Sequence, residues 1–107
     1  MKYEQGDIIW LTPDPTLGRE QKGRRPAIVV SNDEYSNMPH VMPITRTKRE
    51  TPMLVSLDER TKTRGYVMID QSRSLDLSQR DVEFIEKVPK DILNEILERF
   101  WLRFKTD

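Results

Sequence analysis

Residues 13–31 read P-D-P-T-L-G-R-E-Q-K-G-R-R-P-A-I-V-V-S and join a charged, glycine-containing loop to a short apolar run. Because a proline disfavours helical backbone in the residue before it, we expect Arg25 to enter a strand in an extended conformation. The β-branched run at 27–30 is typical of a strand that is buried on both faces. A guanidinium at the mouth of a rigid strand, beside a loop that carries Glu20 and Gln21, indicates a site for an anion.

Five further short apolar runs surround this strand in the sequence. They lie at 7–12, 41–45, 53–57, 66–70 and 82–88, with turn-forming residues between them. Strands of this length and spacing predict a small barrel or sandwich. Pro43, inside the second of these runs, favours an edge or bulge position because proline has no N–H to donate to a ladder.

The C-terminal segment changes to a helical period. Its apolar stripe consists of Ile92, Leu93, Ile96, Leu97, Phe100, Trp101 and Phe104. Pro89 suits the first position of such a helix, where its fixed φ is favourable. The polar face mixes acids and bases and lacks the Lys/Arg enrichment of a membrane-surface helix. We therefore expect this amphipathic helix to pack across the β-sheet rather than on a lipid surface.

Composition excludes several classes of site. The 107 residues suit one domain, 1–107, with a single core. With no cysteine and one histidine, the sequence predicts no thiolate chemistry, no metal site and no cofactor. No apolar run approaches about 20 residues, so we expect neither export nor membrane insertion and predict a cytoplasmic protein.

The net charge is zero, but the charge is unevenly distributed. Between residues 19 and 49, seven cationic side chains stand against three acidic ones, a local excess of +4. A local basic face on a neutral protein favours a short single-stranded nucleic acid over a long duplex, whose affinity grows with the phosphates neutralised. The alternative is a solvated surface with scattered charges.

Two strand ends indicate where an anion would bind. If the strands at 27–30 and 41–45 run side by side, Arg25 and Thr45 meet at one end of the sheet. A guanidinium and a hydroxyl there would both donate to one phosphate. The stretch 70–73, D-Q-S-R, follows another strand and would bring a carboxylate, an amide and a further cation to the same rim.

These features together resemble the MazF/PemK/Kid toxin family. The motifs that carry the resemblance occur in order: G-D-I-I-W at 6–10, P-T-L-G-R-E-Q-K-G-R-R-P-A at 15–27, P-I-T at 43–45 and D-Q-S-R at 70–73. The V-P pair at 88–89, followed by the helix, is similar to the Kid/PemK branch. The resemblance implies an SH3-like barrel with a C-terminal helix, a homodimer, and a cognate antitoxin. It also implies a metal-independent, sequence-specific endoribonuclease that cuts single-stranded RNA, usually mRNA.

The resemblance assigns roles to particular residues. Arg25 and Thr45 match the family's catalytic arginine and threonine, and we take Asp70 as the base. The residues expected to contact RNA are Arg19, Glu20, Gln21, Arg24, Arg46, Gln71 and Arg73. Arg19 and Met68 stand where some relatives carry histidine and arginine, so acid–base schemes that need those groups do not carry over.

The expected reaction is attack of a ribose 2′-hydroxyl on the adjacent phosphorus, which gives a 2′,3′-cyclic phosphate and a 5′-hydroxyl end. Two alternatives remain open. One is a non-catalytic poison of DNA gyrase on the same fold, like the CcdB relatives, although residues 103–107 lack the apolar-aromatic end that such binding needs. The other is an RNA- or peptide-binding barrel that has lost its activity.

Overall fold

The computed structural model describes residues 3–12, 24–32 and 37–106. In that part of the chain seven strands precede one α-helix. The strands are β1 (Asp7–Leu11), β2 (Arg25–Val29), β3 (His40–Thr45), β4 (Leu54–Ser56), β5 (Tyr66–Met68), β6 (Arg73–Ser74) and β7 (Val82–Lys87), and the helix is α1 (Lys90–Leu102). No helix among the described residues has the length and apolarity that a membrane crossing requires.

The strands form one antiparallel sheet with the order β4-β5-β3-β2-β1-β7, and β6 pairs with β3 beside that path. The prediction of a mainly β fold with a C-terminal helix is confirmed, and each of the six predicted strands is present. The predicted strand at 66–70 is too long at its end, because β5 stops at Met68 and Ile69–Gln71 forms a turn of 3-10 helix.

The sheet buries apolar side chains on both faces, because successive residues of a strand point in opposite directions. One cluster contains Ile8, Ile28, Met42 and Val67 and packs against α1. A second cluster on the other face contains Ile9, Leu11, Ala27, Val29, Val41 and Leu75. Neighbouring residues therefore belong to different clusters: Ile8 and Ile28 to the first, Ile9 and Val29 to the second. Because both faces are packed, a shift of either strand by one residue would disrupt both clusters.

The helix begins one residue later than predicted. Pro89 lies just before α1, and its carbonyl oxygen accepts hydrogen bonds from the N–H groups of Ile92 and Leu93. Ile92, Leu93 and Ile96 are buried, so the predicted packing of the helix on the sheet is confirmed for its first turns. The prediction is wrong for the end of the apolar stripe, because Trp101 in the last turn of α1 is 67% exposed and Phe104, beyond the helix, is 56% exposed.

Pro43 does not lie on an edge strand. β3 has β2 on one side, and on the other side it pairs first with β6 at His40 and Val41 and then with β5 at Ile44 and Thr45. Pro43 therefore lies on that side between the β6 pairing and the β5 pairing, where no ladder hydrogen bond is formed. A residue without an N–H is tolerated at such a gap. The edge alternative is wrong, and the irregular position suits the proline.

The Glu86 carboxylate links β7, at one end of the sheet path, to the turn between β4 and β5 at the other. It accepts hydrogen bonds from the backbone N–H groups of Lys62 at 3.0 Å and Thr63 at 2.8 Å, and from the Thr63 hydroxyl at 2.8 Å. Burial opposes ionisation of this carboxyl, but these three donors prevail and lower the pKa of Glu86. A side chain thus holds together two ends of the sheet that no ladder joins among the described strands.

Replacing Glu86 by Gln is expected to lower the free energy of unfolding by about 1–3 kcal/mol, because an amide cannot accept from all three donors. The depressed pKa means that the ionised carboxyl stabilises the fold at neutral pH, and that this contribution is lost as the pH falls through the folded-state pKa. Urea unfolding at pH 7 and at acidic pH measures both effects. The exposed Glu98→Gln variant is the control. Equal stability of the Glu86→Gln and wild-type proteins at pH 7 would contradict this account.

Candidate active site

The register of β2 against β3 brings two strand ends together. Ala27 pairs with Pro43 and Val29 with Val41, and the same register continued by two residues sets Arg25 opposite Thr45. Directly opposite residues of an antiparallel pair have Cβ atoms about 4.5–5.5 Å apart. The sequence prediction placed these two side chains at one end of the sheet, and the register agrees with it.

A groove of about 1230 Å³ opens over this end of the sheet. Six of its lining side chains are cationic: Arg24, Arg25, Arg46, Lys62, Arg64 and Arg73. Asp70 is the one carboxylate among the described lining residues, so the groove carries an excess of +5 on a chain whose net charge is zero. A concave surface of one charge sign concentrates an oppositely charged ligand. The electrostatics therefore favour an anion of several charges.

Thr45 has its hydroxyl oriented by its own loop. The Thr45 hydroxyl oxygen accepts a hydrogen bond of 3.1 Å from the backbone N–H of Thr47. A hydroxyl that accepts one bond retains its own O–H as a donor. Thr45 is half-buried and lines the groove, so this donor is available to a ligand that also contacts Arg25.

Gly65 permits the close approach of two backbones beside Thr45. Its φ is +129°, which other residues rarely adopt, and a Cβ at this position would lie 2.3 Å from the Thr45 carbonyl oxygen. The strand pair β3–β5 ends at this contact, where Thr45 pairs with Tyr66. Gly65 thus lets the turn that carries Lys62 and Arg64 fold back onto the groove.

Arg24 is held differently from Arg25. One of its terminal nitrogens lies 2.9 Å from a carboxylate oxygen of Glu83, and the guanidinium carbon lies 5.7 Å from the ring centre of Trp10. Its Nε is buried and has no hydrogen-bond partner among the described groups. Arg25, in contrast, is exposed at the start of β2.

Seven of the residues predicted for the site are described by the structure, and all seven line the groove. They are Arg24, Arg25, Thr45, Arg46, Asp70, Gln71 and Arg73. Asp70 and Gln71 reach it from the 3-10 turn after β5, and Arg73 from the start of β6. The other three, Arg19, Glu20 and Gln21, lie outside the described residues.

Sequence reasoning missed three residues of the groove. Lys62 and Arg64 line it from the β4–β5 turn, and the signal for them was the charged run T-K-T-R-G at 61–65. Trp10, from the first predicted strand, is 38% exposed and also lines the groove. Among the residues described, no three His, Cys, Asp or Glu side chains are grouped so as to hold a metal ion.

Comparison with known proteins identifies the family. A family model described as the PemK-like, MazF-like toxin of type II toxin–antitoxin systems matches residues 4–102. The chain belongs to this toxin family. It is 37% identical over 103 residues to the endoribonuclease PemK of Escherichia coli, a match that covers 90% of this chain and 77% of PemK. It is 33% identical over 105 residues to the endoribonuclease toxin ChpB of Escherichia coli K12, a match that covers 92% of this chain and 90% of ChpB.

The fold agrees with the family assignment. The toxin superposes on a chain of a MazE–MazF crystal structure from Deinococcus radiodurans with a TM-score of 0.82 and 25% identity, which covers 100% of this chain and 99% of that one. The four motifs that suggested the family from sequence span residues 6–73, inside the matched range. The predicted family is therefore confirmed.

Replacing Gly65 by Ala is expected to destabilise the protein by more than about 1 kcal/mol, because the added Cβ meets backbone and the φ is unsuitable. The strain acts directly on Thr45, so the groove should change as well. Urea unfolding measures the first effect, and the backbone amide NMR shifts of Thr45 and Thr47 measure the second. Glu59→Ala, an exposed change in the same connection, should alter neither. Unchanged stability and shifts in Gly65→Ala would show that the close approach is not a constraint.

Proposed function

We propose that this protein is the toxin of a type II toxin–antitoxin system and a sequence-specific endoribonuclease that cuts single-stranded RNA, usually mRNA, in the cytoplasm. The observation that carries the proposal is the cationic groove with Arg25 opposite Thr45. The groove occurs in a chain that is 37% identical to a protein named endoribonuclease PemK. An RNA strand supplies the repeated negative charge that such a groove attracts.

In the proposed reaction Arg25 stabilises charge on the phosphate. The ribose 2′-oxygen forms a bond to the neighbouring phosphorus, the bond from phosphorus to the 5′-oxygen breaks, and a 2′,3′-cyclic phosphate results. Negative charge grows on the non-bridging oxygens during this step, and a guanidinium that donates to them lowers the barrier. Because an arginine side chain stays protonated at any physiological pH, its role is electrostatic and not proton abstraction.

Thr45 and Asp70 handle the hydroxyl groups. Thr45 donates its O–H to the phosphate or the attacking group, since its oxygen already accepts from the Thr47 backbone. Asp70 takes the proton of the 2′-hydroxyl, and the departing 5′-oxygen takes up a proton to become a hydroxyl. A reaction that begins at the 2′-hydroxyl spares DNA, which lacks that group. No step in this scheme requires a metal ion or a cofactor.

The remaining lining residues bind RNA in this proposal. Arg46, Gln71 and Arg73 contact the strand on either side of the cleaved phosphate, and Arg24 contributes from the β1 side of the groove. We also propose RNA contacts for Arg19, Glu20 and Gln21, which precede β2 in the sequence. Each cationic contact releases counterions, so binding should weaken steadily as salt rises.

We further propose two protein partners, a second copy of the chain and a cognate antitoxin. The support is a structural relative whose crystal structure contains MazE together with MazF. A segment with acidic side chains would compete with RNA for the same cationic groove. Inhibition by occupation of the groove requires no change of fold in the toxin.

The gyrase alternative is not favoured, although one argument against it fails. Trp101, Leu102 and Phe104 are exposed at the end of α1, so the chain does present an apolar-aromatic helix end. The relatives that cover most of this chain are nevertheless named endoribonucleases. The groove also contains Arg25 and Thr45, which a gyrase poison would not need.

Arg25→Ala is expected to reduce RNA cleavage about 10²–10³-fold, the usual cost of removing one well-aimed donor to a developing oxyanion. The assay is incubation with a long single-stranded RNA in EDTA, with end analysis of the fragments. Arg103→Ala removes the same charge from the far end of the helix and is the matched control. Cleavage at the wild-type rate by folded Arg25→Ala would exclude this site, and intact RNA with wild type would exclude the function.

A further inference from the structure

Trp10 occupies an unusual place for a large aromatic residue in a strand. It lies in β1 between buried neighbours, yet 38% of it is exposed and it lines the groove. The Arg24 guanidinium lies over the ring at 5.7 Å from its centre. An exposed indole that lines a cationic groove is accessible to a ligand bound there.

Three side chains hold this arrangement in place. Trp10 pairs with Pro26 on one side and with Glu83 on the other, and Glu83 forms the ion pair with Arg24 at 2.9 Å. Glu83 therefore holds Arg24 over the indole, at a place where its guanidinium also lines the groove.

The position of Trp10 relative to the cleavage site matters as much as its exposure. The next residue of β1, Leu11, pairs with Arg25. Successive residues of a strand point to opposite faces, so the Trp10 and Arg25 side chains leave β1 and β2 on different faces, yet both line the groove. An RNA strand that follows the groove would pass both side chains.

We propose that Trp10, with the Arg24 guanidinium over its ring, forms a platform that binds one unpaired base of an RNA strand in the groove; this rests on the proposed function. Unpaired bases stack on aromatic rings and on guanidinium planes, and every base offers a π-face for this contact. The platform contributes affinity for single strands and orients the nucleotide, while neighbouring groups select the sequence. A base-paired strand cannot use it, because its bases are already stacked.

The chain has two tryptophans, Trp10 and Trp101, which allows a direct test. The Trp101→Phe protein reports Trp10 alone, and the Trp10→Phe protein reports Trp101 alone. Each is titrated with a random-sequence 2′-O-methyl RNA, which binds but cannot be cleaved. We expect quenching in the first protein and none in the second. Because Trp10 is unchanged in the first protein, this arm does not depend on the folding of a Trp10 variant.

RNA affinity, its salt dependence and the cleavage kinetics of variants distinguish a stacking role of Trp10 from a charge effect. Trp10→Ala should weaken binding of the same RNA about 5- to 150-fold, with a raised KM and a nearly unchanged kcat. Trp10→Phe should restore most of the affinity. The slope of log affinity against log salt should be unchanged in Trp10→Ala, whereas loss of the Arg46 charge should reduce it by about 0.7.

The outcomes distinguish this proposal from the one on which it rests. If wild type cleaves RNA while Trp10 fluorescence and the affinity of folded Trp10→Ala are unaltered, the platform is wrong and the endoribonuclease stands. If wild type neither binds nor cleaves RNA, both are wrong. If Trp10→Ala weakens binding of an acidic, leucine-rich peptide but not of RNA, the indole serves a protein partner, and the proposal is overturned.

Discussion

The pairing of β2 with β3 is the constraint on which the site depends. Ala27, Val29 and Val41 are buried in the second apolar cluster, and this packing fixes the register of the two strands. A slip of one residue would turn each of these side chains to the other face of the sheet. The same slip would separate Arg25 from Thr45. The packing that stabilises the sheet therefore also aligns the two groups that we assign to the phosphate.

Several acids of this neutral chain are engaged outside the cationic groove. Glu86 binds the turn that carries Lys62 and Thr63, and Asp58 and Asp91 both bind Arg60, with hydrogen bonds that lower the pKa of each aspartate. These carboxylates secure turns and the start of α1. The groove keeps Asp70 as its one described carboxylate.

Local patterns were sufficient to predict the strands, the helix and the proximity of Arg25 and Thr45. The proline after Arg25 and the β-branched run that follows fixed β2, and the helical period fixed the buried face of α1. Periodicity could not show how far the sheet extends beneath the helix, so Trp101 and Phe104 were wrongly expected to be buried. Lys62 and Arg64 were missed for a related reason. Their approach to the groove depends on the fold-back at Gly65, a contact between distant parts of the chain.

The most direct test of the central claim is a double-mutant cycle on Arg25 and Thr45, with single-turnover cleavage rates for wild type, Arg25→Lys, Thr45→Ala and the double variant. If the two groups act on one phosphate, the double variant loses much less than the product of the two single losses, because removing either group already misaligns the reaction. Losses that multiply fully would mean that Arg25 and Thr45 act independently, and the account of a shared site at the end of β2 and β3 would be wrong.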